Sequence, residues 1–217
     1  MMAGDRGTDI ASITRAFNRA SSLGAEGFQA GNTVVIQGSG PIGILALIAA
    51  WQRGAGRVVV VGAPEEPRRA LCRLYGADAT VSLEEHRTSE ERIAAVREVV
   101  GGYGADLVMD CSGSLQAGPE GIEMLRDGGT FVEMGQFTDA GGIETSWHRI
   151  CVKEVQLLGS WAFTPDEIDQ AMGILHAIQD DYDWSRMQRE FPFSEVAAAI
   201  ASATAMECVK ATIVPAG

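Results

Sequence analysis

Short apolar runs alternate with helical patterns between residues 33 and 161. The runs at Thr33–Gln37, Arg57–Val61 and Asp106–Asp110 are apolar at most positions rather than at every second one. Such runs are typical of parallel strands, because helices cover both faces of a parallel sheet. Three further strands are predicted at Ala79–Val81, Gly129–Met134 and Val155–Leu158.

Helical patterns occupy the intervals between these strands. Thr88 and Glu91 form a capping-box signature, and Ile93 and Val96 then lie on one face of the predicted helix. Further helices are predicted at Ile42–Arg53, Pro67–Tyr75 and Leu115–Leu125. Because strands and helices alternate, the sequence predicts an α/β fold with a doubly wound, mostly parallel six-stranded sheet and helices on both faces.

The pattern divides the chain into three parts. Residues 1–30 hold an N-terminal helix at Thr8–Ala20 and a lead-in, and residues 31–161 hold the sheet. Residues 162–217 form an α/β C-terminal tail. In the tail, the pattern predicts a helix after Thr164, a helix at Phe193–Ala203 and a last strand at Ala211–Val214.

A glycine-rich turn joins the first strand to the helix that follows it. It reads Gly38-Ser39-Gly40-Pro41-Ile42-Gly43, a G-x-G-x-x-G motif. Gly38 permits a tight turn, Gly40 lets a pyrophosphate approach the backbone, and Gly43 allows close packing of helix on strand. This context predicts a Rossmann dinucleotide-binding site, with an adenosyl-binding site of the methyltransferase type and a purely structural turn as alternatives.

The position expected to bind the adenosine ribose lacks its usual acid. An NAD site carries Asp or Glu about 20 residues after the glycine motif, whereas this chain has Gly62 there. No carboxylate repels a 2′-phosphate at this point, and Arg68 or Arg69 could pair with one. The alternative is that both arginines are simply solvated. The sequence therefore predicts NAD(P) as cofactor and slightly favours NADP.

Composition and charge narrow the function classes. The chain has 217 residues, 46% of them hydrophobic, and a net charge of −12, which argues against a nucleic-acid partner. The longest apolar run, Ile42–Trp51, is too short to span a membrane. Without a secretory signal, the protein is expected to be cytoplasmic. Four scattered cysteines, expected to be reduced, form no zinc-like pattern: Cys72, Cys111, Cys151 and Cys208.

Six segments, in order, resemble the cofactor-binding domain of the medium-chain dehydrogenases, the zinc-type alcohol dehydrogenase family. They are NTVVIQGSGPIG (32–43), RLYGAD (73–78), GADLVMDCSG (104–113), LRDGGTFV (125–132), KEVQLLGS (153–160) and VKATIVP (209–215). The resemblance extends from about Ala11 to the end of the chain. It implies an oxidoreductase that transfers a hydride between a nicotinamide and an alcohol or carbonyl substrate.

The same resemblance assigns roles to particular positions. Arg68 matches the family's basic residue near the ribose, whereas Gly62 departs from the family's usual acid. In the family the edge strand, here Val155–Leu158, joins two copies into a homodimer; a tail folded over this edge is the alternative. The resemblance implies that Cys111, Ser112 and Gly113 approach the adenosine and pyrophosphate side of the cofactor. It implies that the nicotinamide is approached by Met134, Gly135, Gln136, Gly159, Ser160 and Trp161.

Family members also carry, before this domain, a catalytic domain that provides zinc ligands and a proton relay. Nothing in this chain corresponds to that domain, and Asp9 is a single carboxylate near the place of the last zinc ligand. We therefore expect no zinc in this chain, and none of His86, His148 and His176 is expected to be catalytic. The chain is expected to be incomplete by itself, either as part of a longer protein or as the partner of a separate catalytic chain; a non-catalytic dinucleotide-binding or scaffold protein is the alternative.

Overall fold

Six parallel strands form the central sheet of the structure, a computed structural model that describes residues 2–24 and 27–215. The order of the strands is β3-β2-β1-β4-β5-β6, and every neighbouring pair is parallel. This confirms the predicted doubly wound α/β fold. The strands are β1 (Thr33–Gln37), β2 (Arg57–Gly62), β3 (Ala79–Ser82), β4 (Ala105–Asp110), β5 (Leu125–Glu133) and β6 (Gln156–Gly159).

Helices connect the strands, and a small second sheet lies in the tail. Strands β7 (Gln188–Pro192) and β8 (Lys210–Val214) pair in parallel there. Within the described part of the chain, no helix combines the length and apolarity needed to cross a bilayer. The helices are α1 (Met2–Ser21), α2 (Pro41–Gln52), α3 (Ala70–Leu74), α4 (Ser89–Val99), α5 (Ala117–Met124), α6 (Trp147–Val152), α7 (Pro165–Ala177) and α8 (Val196–Thr204).

Apolar side chains cover both faces of the sheet, which explains the continuous apolar runs. On one face, Val34 packs in a core with Phe17 of α1 and Ile44 of α2. On the other face, Val35 packs in a second core with Val96 of α4. Successive residues of one strand point to opposite faces, so every position of a doubly covered strand is buried.

The starts of α1, at Met2 rather than Thr8, and of β5 differ from the prediction, whereas helical backbone begins at Pro67 as predicted. Residues Glu65–Arg69 form a wide helical turn in which Glu66 is extended, and α3 continues this turn from Ala70. A residue before proline avoids the helical region for steric reasons. Strand β5 begins at Leu125, directly after α5, because Leu125 already pairs with β4 before the bulge in that pairing.

Candidate functional site

The glycine turn connects β1 to α2 at the carboxyl end of the sheet. Gly38 has φ +115°, and a Cβ there would lie 2.9 Å from the carbonyl carbon of Cys111. A Cβ on Gly43 would lie 1.8 Å from the carbonyl oxygen of Gly38. The backbone therefore requires glycine at both positions, for the reasons the sequence predicted.

Gly40 has open space above it. Among the described residues other than its chain neighbours, Nη1 of Arg68 is the one atom within 4 Å of a Cβ built on Gly40, at 3.9 Å. Gly40 is also the N-cap of α2, with no side chain capping the helix, and Pro41 occupies the first turn. An uncapped helix start carries a partial positive charge and favours an anion. The turn thus leaves open space beside a helix N-terminus and a guanidinium group.

Ser39 fills the space in which a ribose-binding acid would lie. Its hydroxyl donates to the carbonyl oxygen of Ala63 at 3.0 Å. A Cβ on Gly62, at the end of β2, would lie 2.3 Å from Oγ and 2.5 Å from Cβ of Ser39. A side chain at position 62 is therefore incompatible with Ser39, which is the steric reason for the missing carboxylate.

The two candidate arginines have different surroundings. Arg69 is buried and pairs with Glu65 at 2.7 Å, so it stabilises the turn before α3. Arg68 has no carboxylate partner among the described residues, and its Nε is buried without a hydrogen-bond partner. Burial lowers the pKa of the Arg68 guanidinium. Of the two arginines, Arg68 is therefore the one that lies near Gly40 and has no ion-pair partner among the described residues, so it could bind an anion there.

The segment after β4 turns sharply at the end of the strand. The backbone N–H of Cys111 donates to the carbonyl oxygen of Gln37 at 2.8 Å, and Gly113 has φ +72°. Ser112 donates to Oδ1 of Asp110 from both its backbone N–H and its hydroxyl, each at 2.7 Å. Burial raises the pKa of the Cys111 thiol well above its usual range, so this thiol is neutral.

Three side chains that we call the polar row lie side by side at the carboxyl ends of the central strands. They are Gln37 on β1, Asp110 on β4 and Glu133 on β5, which are register partners. Gln37 and Asp110 are buried and Glu133 is half-buried. Burial, and then the charge of Asp110, raise the pKa of Glu133 to about 7. The sequence prediction did not include this row, although Asp110 and Glu133 each end an apolar strand.

The carboxyl ends of β5 and β6 carry the residues implied for the nicotinamide. Backbone N–H groups of Gly135 and Gln136 donate to Oε1 of Glu133, at 2.8 and 3.0 Å. Ser160 donates from its backbone to the carbonyl oxygen of Glu133 at 2.8 Å, while its hydroxyl is buried without a partner. Met134 is half-buried and belongs to the edge of the α1–α2 core.

A largely apolar cavity of about 750 Å³ opens beside these strand ends. Glu133, Gln136 and Trp161 line it together with apolar residues of α5, α6 and β6. Trp161 stacks on Phe137 with ring centres 5.0 Å apart and planes 6° from parallel, and both rings are largely exposed. The structure thus places Gln136 and Trp161 at one cavity, while Arg68 lies at the glycine turn.

Asp9, which lies near the place of the family's last zinc ligand, forms an ion pair with a lysine. Its carboxylate pairs with Lys210 of β8 at 2.9 Å, which ties α1 to the tail. In the described ranges, 2–24 and 27–215, no three His, Cys, Asp or Glu side chains are grouped so that they could hold a metal ion. The three histidines lie on different elements: His86 after β3, His148 on α6 and His176 on α7.

Comparisons with known proteins identify relatives of the chain. Residues 41–177 match the model of the zinc-binding dehydrogenase family. The 5-exo-hydroxycamphor dehydrogenase of Pseudomonas putida is 29% identical over 95% of this chain and 56% of its own length. The sorbitol dehydrogenase of Halalkalibacterium halodurans is 33% identical over 67% of this chain and 41% of its own length.

Solved structures agree with the sequence relatives. An alcohol dehydrogenase of Thermotoga maritima matches with a TM-score of 0.82 and 27% identity, covering 96% of this chain and 55% of that one. A protein described as a zinc-binding dehydrogenase of Sinorhizobium meliloti, bound to NADP, shares the fold with a TM-score of 0.79, 24% identity and coverage of 96% and 58%. The chain spans about half the length of these relatives, and it belongs to the zinc-binding dehydrogenase family.

Proposed function

We propose that residues 31–161 form the dinucleotide-binding part of an NAD(P)-dependent oxidoreductase of the zinc-type alcohol dehydrogenase class. The observation that carries the proposal is the open space above Gly40, bounded by the start of α2 and by Arg68. Two of its features fit an anionic cofactor. The turn has no side chain where a pyrophosphate would approach, and Nη1 of Arg68 lies 3.9 Å from the Cβ position of Gly40.

The chain's own residues would divide the work of binding along the strand ends. The backbone of residues 38–43 would hold the pyrophosphate, and residues 111–113 would border the adenosine side. The turn at Met134, Gly135 and Gln136, with Ser160 and Trp161, would orient the nicotinamide. Hydride transfer is the chemistry that a bound nicotinamide supplies.

We further propose a slight preference for NADP. Ser39 excludes an acid at position 62, so no negative charge at the end of β2 opposes a 2′-phosphate. Arg68 offers a guanidinium group without a carboxylate partner among the described residues, and guanidinium groups bind phosphate through paired hydrogen bonds. The relative from Sinorhizobium meliloti was solved with NADP, which supports an NAD(P) cofactor for this chain.

The substitution Arg68→Gln tests this preference. A hydrogen bond to a charged group contributes about 1.5–3 kcal/mol, so we expect NADPH to bind roughly ten- to a hundredfold more weakly. NADH binding should weaken less, because NADH lacks the 2′-phosphate and its pyrophosphate would still be held by the backbone of residues 38–43. Both affinities are measured by the fluorescence of the reduced nicotinamide, with S-adenosylmethionine as a third ligand.

Arg73→Gln is the matched control, because Arg73 lies on α3 and already pairs with Glu65. It should leave both affinities unchanged. Equal losses for NADPH and NADH in Arg68→Gln would contradict the NADP preference. Tight binding of S-adenosylmethionine, with no response to either dinucleotide, would contradict the proposed function itself.

The proposal also covers the catalytic part of the enzyme, the zinc site, the cellular compartment and the oligomeric state. We infer that a separate catalytic chain or domain supplies the zinc ligands and the proton relay, and that this chain holds no zinc. We also infer a cytoplasmic homodimer joined through β6. The support for the dimer is that β6 pairs only with β5 in the described sheet and that Leu157, Phe137 and Trp161 leave apolar surface beside it.

A further inference from the structure

Asp110 and Glu133 of the polar row bring two carboxyl groups into contact. The two residues are register partners in parallel strands, so their side chains lie on the same face of the sheet. Ser112 donates twice to Oδ1 of Asp110, whereas Oδ2 is buried without a hydrogen-bond partner. Both carboxyl groups also meet Gly135, whose backbone N–H donates to Oε1 of Glu133 and whose Cβ position lies 2.6 Å from Oδ2 of Asp110. Two ionised carboxylates are both acceptors, so the contact between them becomes a hydrogen bond only when one of them is protonated.

The groups that face this pair are neutral or acidic. Gln37 approaches from β1, and Gly159 is the register partner of Glu133 on β6. The Cys111 thiol is kept neutral by burial, and Asp139 is the other charged side chain on the cavity wall. Burial raises the pKa of both carboxyl groups of the pair. One shared proton satisfies the orphaned oxygen and removes the repulsion between two carboxylates.

Glu133 connects this pair to the backbone that follows β5. Its Oε1 accepts the N–H groups of Gly135 and Gln136, so it fixes the turn assigned above to the nicotinamide. Gly135 also lies against the pair, since a Cβ on it would be 2.6 Å from Oδ2 of Asp110. When the pair is fully ionised, the two carboxylates repel, and the half-buried Glu133 can turn towards the cavity and release both N–H groups.

We propose that Asp110 and Glu133 share one proton and that this protonated pair positions the Gly135–Gln136 turn for the dinucleotide, so that binding weakens as the pH rises above neutrality. In this role Glu133 and Asp110 are positioning residues. The inference rests on the proposed function for its binding readout. A second readout, the stability of the ligand-free protein, does not depend on it.

The binding experiment measures the affinity for NADH between about pH 6 and pH 9. NADH is the probe because it lacks the 2′-phosphate, which would itself titrate near this range. If binding requires one proton, the Kd of the natural chain rises about tenfold for each pH unit above the pKa of the pair. Glu133→Gln should bind with a Kd that is constant over this range, because an amide keeps both acceptor and donor without titrating.

Asp139→Asn is the matched control, since Asp139 lines the same cavity but is exposed and accepts from the backbone N–H of Gly141. It should retain the pH dependence of the natural chain. Asp110→Asn should move the dependence to lower pH, because it removes the charge that disfavours ionisation of Glu133. It also provides the test if Glu133→Gln does not fold.

The ligand-free readout is the free energy of unfolding as a function of pH. The pKa of Glu133 is raised in the folded state, from an ordinary 4.5 to about 7. The proton bound to Glu133 therefore stabilises the fold fully below about pH 4.5. This contribution is lost as the pH rises through about 7. Glu133→Gln should abolish this loss.

A Kd for NADH that does not change with pH, or an equal pH dependence in Glu133→Gln, would overturn the proposal. If no dinucleotide binds at any pH, the proposed function fails and the stability profile alone decides. A profile that is flat between about pH 4.5 and pH 7, or identical in Glu133→Gln, then rejects the shared proton.

Discussion

Lys153 illustrates how a single buried charge can hold an element in place. It is only 2% exposed, and its ammonium donates to the carbonyl oxygens of Ile122, Glu123 and Leu125 at 2.6, 3.3 and 2.8 Å. These are carbonyl groups at the end of α5, which have no partner within the helix. A cation at this point also interacts favourably with the helix dipole. Lys153 thereby allows α5 to end directly at the start of β5.

We expect Lys153→Met to destabilise the fold by about 2–4 kcal/mol, because it leaves buried carbonyl groups without a donor. Chemical denaturation measures this change as a lower midpoint. Lys210→Met is the matched control, since Lys210 is the other lysine and makes a partly exposed ion pair with Asp9. It should cost less than about 1 kcal/mol. Equal losses in both variants would contradict the capping role of Lys153.

The sequence predicts some residues of the candidate site and not others, for a physical reason. Gly38 and Gly43 are predictable, because the turn with φ +115° at Gly38 and the contact of Gly43 with the Gly38 carbonyl both arise within one strand–turn–helix unit. The pairing of Asp110 with Glu133 depends on the register between β4 and β5, which local sequence does not specify. The steric conflict of Ser39 with Gly62 likewise appears only when β1 and β2 are placed side by side.

At the scale of elements, buried strands are easier to predict than exposed ones. All six strands of the main sheet follow from apolar runs, and the central strands β1, β2 and β4 are covered on both faces, whereas the edge strand β6 is partly exposed. The prediction omitted β7, a largely polar strand ending at Pro192, because its pairing with β8 lies outside the main core. It also omitted α6, whose six residues are too few for a helical period to be recognised.

Strand β6 is the element for which an interface can be tested. Leu157 on β6 is 42% exposed and lines the apolar cavity. We expect Leu157→Lys to convert a dimer into a monomer, because it places a charge in an apolar contact between two edge strands. Sedimentation velocity measures the change in mass.

Leu83→Lys is a closely matched control, because Leu83 is 41% exposed and lies beyond β3, at the opposite edge of the sheet. It should leave the assembly unchanged. A natural chain that sediments as a monomer, or a Leu157→Lys variant that remains a dimer, would contradict an interface through β6.

At the scale of the whole molecule, the first and last parts of the chain share one core. Phe17 of α1, Ala171 of α7 and Val209 beside β8 are buried in the same apolar cluster as Val34 of β1. Two ion pairs connect the parts as well, Lys210 with Asp9 and Arg15 with Glu167 at 3.4 Å. The tail is therefore packed against the sheet domain by its own contacts.

Metal analysis tests the proposal that the zinc site belongs elsewhere. We expect the purified protein, dialysed against zinc and then against buffer, to retain less than one zinc per chain. The reason is that an open catalytic site needs three protein ligands, and the four cysteines are free and lie on different elements. One full equivalent of tightly held zinc would contradict this expectation.

The contact between Ser39 and Gly62 constrains how the cofactor preference of such a domain can change over evolution or in design. An acid introduced at position 62 alone would collide with Ser39, whose side chain lies 2.3–2.5 Å from the new Cβ. Ser39→Gly removes both side-chain contacts together with the hydrogen bond to Ala63, and leaves the backbone nitrogen of residue 39 at 3.0 Å from the new Cβ. We therefore expect an acid at position 62 to be accommodated more readily after position 39 has lost its side chain.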